Sequence, residues 1–196
     1  LLKKHDEERG VIMLTSYKQL SKIRDLQDDY LRNRLTFDVD DKGDPTIPFS
    51  ETKKKHIAQH YHPSKEFSQR ICKDEDCKKG DKVHNSVIVT VKASTGINLE
   101  YDESRFQIIL KAPYVTETKT GEDARADFIK KKDPNRYFRK SASRLVQFCG
   151  RSVRHVDDHA VTYVLDKACE GQLFYKNIDF LPTWFRPEKM SFNDMT

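Results

Sequence analysis

Gln147, Gly150, Arg151 and Arg154 recur at i, i+3, i+4 and i+7. At roughly 100° per residue, that spacing gathers them on one stripe of a helix. Leu145, Val146, Cys149 and Val153 fall on the opposite stripe. The apolar stripe reads as core, and the other presents an amide, two guanidiniums and a position with no side chain. Guanidinium forks are planar, stay charged and match phosphate oxygens. A glycine beside them lets a second surface approach. That face suits a bound polyphosphate, with a solvated basic helix face as the plainer alternative.

Elements on either side must hold this stretch in place. After the acidic link Asp157-Asp158 comes an unbroken apolar run over 160–165, closed by Asp166. Short runs of that kind fit strands buried on both faces, as in parallel sheets. Residues 11–14, 87–91 and 106–110 read the same way, and 35–37 reads as a shorter strand. Leu20, Ile23, Leu26, Tyr30 and Leu31 keep helical spacing and predict one helix, with Thr15 or Ser16 at its N-cap. Gly43, Pro45 and Pro48 mark 38–50 as a loop, and 51–59 reads as a polar helix. Asp133-Pro134 starts a further helix, or a pair broken near Ser141, which carries the chain into Gln147. Four buried strands separated by helical or mixed connections predict a parallel sheet with helices on both faces.

Gln147-x-x-Gly150-Arg151-x-x-Arg154, followed by Asp158 and a strand ending in Asp166, resembles motif VI of superfamily-two helicases. It is most similar to that of the XPD/DinG type. The turn Thr15-Ser16-Tyr17 resembles motif IV. The run from Lys92 to Leu99 resembles motif V through Gly96, Ile97 and Leu99, with Thr95 and Asn98 where glutamate and aspartate are usual. Lys111-Ala-Pro113-Tyr114 and Leu181-Pro-x-Trp184 are also similar to stretches of that family, and the resemblance covers about residues 9–186. It implies a RecA-like parallel β-sheet with helices on both faces, the P-loop NTPase-like second domain of a helicase, without the P-loop.

The resemblance implies an ATP-dependent DNA helicase in which a first RecA-like domain of the same polypeptide binds most of the ATP and Mg²⁺. Arg151 and Arg154 would reach across as arginine fingers, and Gln147 would orient the γ-phosphate or an arginine. Gly96, Asn98 and Gly150 would adjoin the nucleotide. Ser16, Lys92 and Ser94 would contact the backbone of single-stranded DNA, with 5′-to-3′ polarity. A non-hydrolysing module for nucleic acid or a protein is the alternative, favoured by Thr95 and Asn98. The chain alone is expected to be inactive, because no Gly-x4-Gly-Lys-(Ser/Thr) loop occurs in it.

The 196 residues, about one third charged, suit one soluble domain over 1–196, with a charged excursion at about 38–84. A net charge of +5 agrees with a phosphate-backbone partner without demonstrating one. The start at Leu1 without a methionine or a signal peptide suggests a fragment of a longer intracellular protein, cytoplasmic in a prokaryote or virus and nuclear in a eukaryote. No apolar run approaches a membrane span. Cys72 and Cys77, with His60 and His62 upstream, do not follow a usual zinc spacing, so no metal is expected there. Any iron–sulfur cluster of the family would lie outside this chain. Cys149 reads as a small core residue, and Trp184 and Phe185 as packing for a terminal segment.

Overall fold

The computed structural model describes residues 1–26, 28–39, 43, 48–60, 70–71, 85–92, 97–115, 126–185 and 187–190. Five strands form one sheet: β1 Gly10–Met13, β2 Leu35–Phe37, β5 Val87–Thr90, β6 Phe106–Ile109 and β7 Val161–Val164. Their order is β2-β5-β1-β6-β7, and every neighbouring pair is parallel. β3 Gln59–His60 and β4 Arg70–Ile71 make a separate antiparallel ladder of two residue pairs.

The helices are α1 Tyr17–Arg24, α2 Asp29–Arg34, α3 Phe49–Ala58, α4 Ala126–Lys132 and α5 Pro134–Cys149. Alternation along the strands splits the core between the two faces of the sheet. Val11, Met13, Ile88 and Ile109 pack with Ala142, Leu145 and Phe148 of α5. Ile12, Val87, Val89 and Ile108 pack with Leu20 of α1 and, at the edge, Leu31 of α2. Both faces are therefore covered, and the α/β RecA-like arrangement expected from the sequence is present.

α5 begins where Asp133 and Pro134 dictate. The Asp133 carboxylate accepts the Arg136 N–H at 3.0 Å, and proline occupies the first turn, where no donor is needed. The helix continues unbroken through Ser141, whose hydroxyl donates to Tyr137 O and accepts the Val115 N–H. Gly10 serves the sheet differently. A Cβ there would fall 2.4 Å from the Phe106 ring, itself stacked on His5 at 4.4 Å. On α2, Arg34 is fully buried and clamps residues 1–9, through Glu8 O at 3.1 Å and the carbonyls of Leu2 and His5, to the start of β5, through Asn85 O at 2.8 Å.

Three expectations need correction. The single helix over 17–31 is two, because the Asp28 carboxylate accepts the Leu31 N–H at 3.0 Å and caps a new start. Leu26 is left 45% exposed. The strand near 160–165 is not buried on both faces: β7 lies at the end of the sheet, so Val161 is 49% and Leu165 41% exposed. The third concerns the end of α5. It stops at Cys149 with Gly150 as its C-cap, so Arg151, Val153 and Arg154 lie in the turns that follow, and Val153 is exposed rather than core. Trp184 packs edge-on against Phe185 at 5.8 Å but is 68% exposed. Cys72, Cys77 and His62 lie outside the described residues, and so does nearly all of the excursion over 61–84.

Candidate functional site

Parallel strands give the sheet two unlike edges, and the candidate residues divide between them. The turn that leaves α5 sits at the edge where β1 and β6 begin. Leu99 N–H donates to Arg151 O at 3.3 Å, and Ser152 Oγ lies 2.7 Å from Ser104 Oγ, both buried. Gln107 Nε2 donates to Cys149 O at 2.6 Å and fixes the last turn of α5 against β6. The chain thus returns from the helix directly onto segment 97–105.

One carboxylate organises that junction. Asp158 is buried and accepts the N–H groups of Tyr101 at 3.1 Å, Arg154 at 3.3 Å and His159 at 2.9 Å, together with Arg105 Nη1 at 3.3 Å. Burial alone would raise its pKa, but these donors outweigh burial and hold the carboxyl below its ordinary value. Tyr101 has φ of +49°, a left-handed conformation that costs a bulky residue about 1–2 kcal/mol. Its N–H is held by Asp158, and its ring stacks on His155 at 5.0 Å.

Arg151 and Arg154 come together despite leaving the helix. Arg154 Nη2 donates to Ile97 O at 3.1 Å. Arg151 Nε is buried and has no hydrogen-bond partner. Burial, and then the nearby Arg154 guanidinium, push the Arg151 guanidinium below its ordinary pKa. Two cations close together, one with an orphaned donor, form a site short of negative charge. Gln147 is exposed one turn back on α5. A Cβ at Gly150 would sit in ordinary contact with Val146 O at 3.7 Å, so nothing in the described chain demands glycine there. Asn98 adjoins Ile97; its Nδ2 donates to Glu100 Oε1 at 2.6 Å, and its carbonyl accepts Lys53 Nζ at 3.0 Å.

The other edge, where strands end, carries Ser16 and Lys92. Ser16 caps α1 by accepting the Gln19 N–H at 3.4 Å. Lys92 Nζ pairs with Asp38 Oδ1 at 3.0 Å, and Asp38 also takes Thr90 Oγ1 at 2.7 Å and Thr52 Oγ1 at 3.3 Å. Ser94 and Gly96 lie outside the described residues.

Sequence reasoning missed the bracing behind segment 97–105, because its partners are far apart in the chain. Lys53 of α3 pairs with Glu103 at 2.7 Å, Arg9 pairs with Asp102 at 3.3 Å, and the ring of fully buried His56 donates through Nε2 to Glu103 O at 2.7 Å. Burial holds the His56 pKa down at about 4, against an ordinary 6.5. The unfolded chain takes up a proton as pH falls below 6.5 while the folded one resists, so the His56 contribution is complete above that value. Stability should fall by on the order of 3 kcal/mol between pH 6.5 and 4. Urea unfolding across that range should show the loss, and His56→Gln should flatten it; equal slopes for both proteins would refute this role for His56.

Among the described residues, no three histidine, cysteine or acidic side chains converge as a metal site, and no helix is long and apolar enough to cross a membrane. Burial pushes the thiols of Cys149 and Cys169 up to about 12, which makes them poor nucleophiles at neutral pH. Residues 1–188 match the model of a family described as a helicase C-terminal domain. None of the curated proteins matches the chain.

Proposed function

The chain belongs to the helicase C-terminal domain family, and from that premise we propose that it is the second motor domain of an ATP-dependent DNA helicase of the XPD/DinG type. One observation carries the proposal. Arg151 and Arg154 stand together at the end of α5, and the buried Arg151 Nε has no partner. A polyphosphate would supply the missing acceptor and relieve the repulsion between the two cations.

A first RecA-like domain of the same polypeptide would hold most of the ATP and its Mg²⁺, and hydrolysis would supply the energy for movement along the strand. On this chain, Arg151 would place its guanidinium against charge developing on the γ-phosphate. Arg154, steadied by Ile97 O, would do the same and connect the phosphate to the turn carrying Gly96 and Asn98. Gln147 would orient the phosphate or an arginine, and Gly150 would leave space for the facing domain. At the far edge, Ser16, Lys92 and Ser94 would hold the backbone of single-stranded DNA without reading its sequence. Lys92 is joined to Asp38, which fits a residue that fixes its turn as well as one that meets phosphate.

A non-hydrolysing module finds support in Asn98, which carries no charge and whose amide is already bonded to Glu100. Turnover decides between the two readings. The 196-residue chain alone should hydrolyse no ATP, and the polypeptide that joins it to a P-loop domain should show strand-stimulated hydrolysis. Turnover by the chain alone that disappears on mutating its own residues overturns the proposal. A joined polypeptide that binds ATP and strand without turnover establishes the non-hydrolysing module.

A further inference from the structure

A cavity of about 370 Å³ opens beside the first turns of α5. Val115, Ala126, Ile129 and the Tyr137 ring give it an apolar lining, and Arg136 and Lys140 supply cations. Its position follows from bonds that tie α5 to the segment after β6: Tyr137 Oη donates to Val115 O at 3.1 Å, and the Val115 N–H to Ser141 Oγ at 3.2 Å. The cavity thus lies on the edge where strands end, the edge that also carries Ser16 and Lys92, and away from Arg151 and Arg154.

Strand order turns that coincidence into a path. Lys92 follows β5, Ser16 follows β1 and Lys111 follows β6, and these three strands are neighbours in that order. Adjacent strands lie about 4.8 Å apart, so the three positions cross roughly 10 Å of sheet edge. Beyond Lys111 come Arg136 and Lys140, one helical turn apart, with Lys130, Lys131 and Lys132 in the last turn of the adjoining α4. Among the described residues, three carboxylates near this path are already engaged. Asp38 pairs with Lys92, Asp166 accepts the Ala112 and Ala168 N–H groups, and Asp133 caps α5.

We propose that single-stranded nucleic acid crosses this edge from Lys92 and Ser16 past Lys111, and that the cavity beside Arg136 and Lys140 seats one of its nucleotides. The chemistry of the cavity selects that occupant. Cations at an apolar, aromatic-lined hollow meet both parts of a nucleotide, phosphate outside and base inside, whereas an acidic peptide would need only the cations. The proposal rests on the strand-gripping part of the function given above and extends it to a site that none of the motif residues occupies.

Anisotropy titrations of the 196-residue chain with oligothymidylates of about 5 and about 15 nucleotides test it, since sites on single strands span ~4–16 nucleotides. The longer strand should bind at least tenfold more tightly. Arg136→Gln combined with Lys140→Gln should remove most of that gain, leave the short strand's affinity nearly unchanged, and lower the slope of log affinity against log salt by about 1.4, at ~0.7 per contact. Arg136→Gln alone, at an exposed position, should lower it by about 0.7 and serves if the double variant does not fold. A double variant that folds and keeps the full gain overturns this path while leaving strand gripping intact. Failure of the wild-type chain to bind either strand at low salt overturns both. Equal displacement of the long strand by polyglutamate of matched charge assigns the site to an acidic protein and overturns the nucleotide.

Discussion

In a polypeptide that joins this chain to a P-loop domain, Arg151→Ala should lower strand-stimulated ATP turnover by about 10³–10⁵-fold while strand affinity stays nearly constant. The guanidinium has a buried Nε without a partner and a like charge beside it. Its removal should therefore cost little stability, and the unfolding midpoint should hold or rise slightly. Arg151→Lys should recover little activity, because an ammonium cannot present a planar fork. Arg154→Ala should fall in the same range for turnover but behave differently in the fold. The sequence suggested a side chain on a helix face turned away from the core and facing a phosphate; instead its guanidinium holds Ile97 O, so its loss should also loosen segment 97–105 and raise hydrogen exchange there. Turnover and strand affinity measured on the same preparations separate the readings. Retained turnover with lost affinity would make Arg151 a strand-binding residue and remove it from the catalytic role.

Asp158→Ala should destabilise the chain by about 3–5 kcal/mol, the cost of stranding buried partners of a charged group. Three backbone donors and Arg105 lose their acceptor at once, and two of those donors belong to different segments, Tyr101 and Arg154. Denaturant unfolding at pH 7 measures the loss, and a change under about 1 kcal/mol would show that water replaces the carboxylate without penalty. The pH dependence has a definite sign. The folded carboxyl titrates below its ordinary value of 3.8, so its contribution is complete above that value and disappears as pH falls through the lower, folded one. Wild type should accordingly lose stability steeply below pH 3.8, in a step that Asp158→Ala lacks. This window lies below that of His56, so the two acid transitions are separable.

Local chemistry explains which parts of this structure could be read from the chain. Asp133-Pro134 named the start of α5 because a side-chain acceptor and a missing N–H act within one turn. The apolar runs named β1, β5 and β6 because a strand covered on both faces carries few polar positions. The stop at Gly150 was harder. Gln147, Gly150, Arg151 and Arg154 keep helical spacing past the point where the helix ends, and periodicity cannot see that the Leu99 N–H takes Arg151 O and draws the chain onto segment 97–105. The edge position of β7 was hidden for a similar reason: Val161 to Val164 look alike at an edge or a centre, and only their pairing with β6 decides. The bracing by Arg9, His56 and Lys53 was illegible because its partners lie about 50–90 residues away along the chain, beyond any short-range pattern.

The central place of β1 also governs the order of assembly. Gly10 pairs with Val87 on one side and Phe106 on the other, so the first of these five strands to be made is the one whose partners are made late. At ~5–20 residues per second, synthesis leaves its apolar side chains waiting roughly 4–15 s for β5 and slightly longer for β6. Helices α1 and α2, of 8 and 6 residues, are too short to hold on local contacts alone and depend on the same late sheet. Such distant pairing raises contact order and slows the final step. The charged excursion between α3 and β5 lengthens the loop that must close, at a cost growing only with the logarithm of its length. Nascent chains truncated before residue 87 would thus present β1 as an unpaired strand, the form that holding chaperones bind.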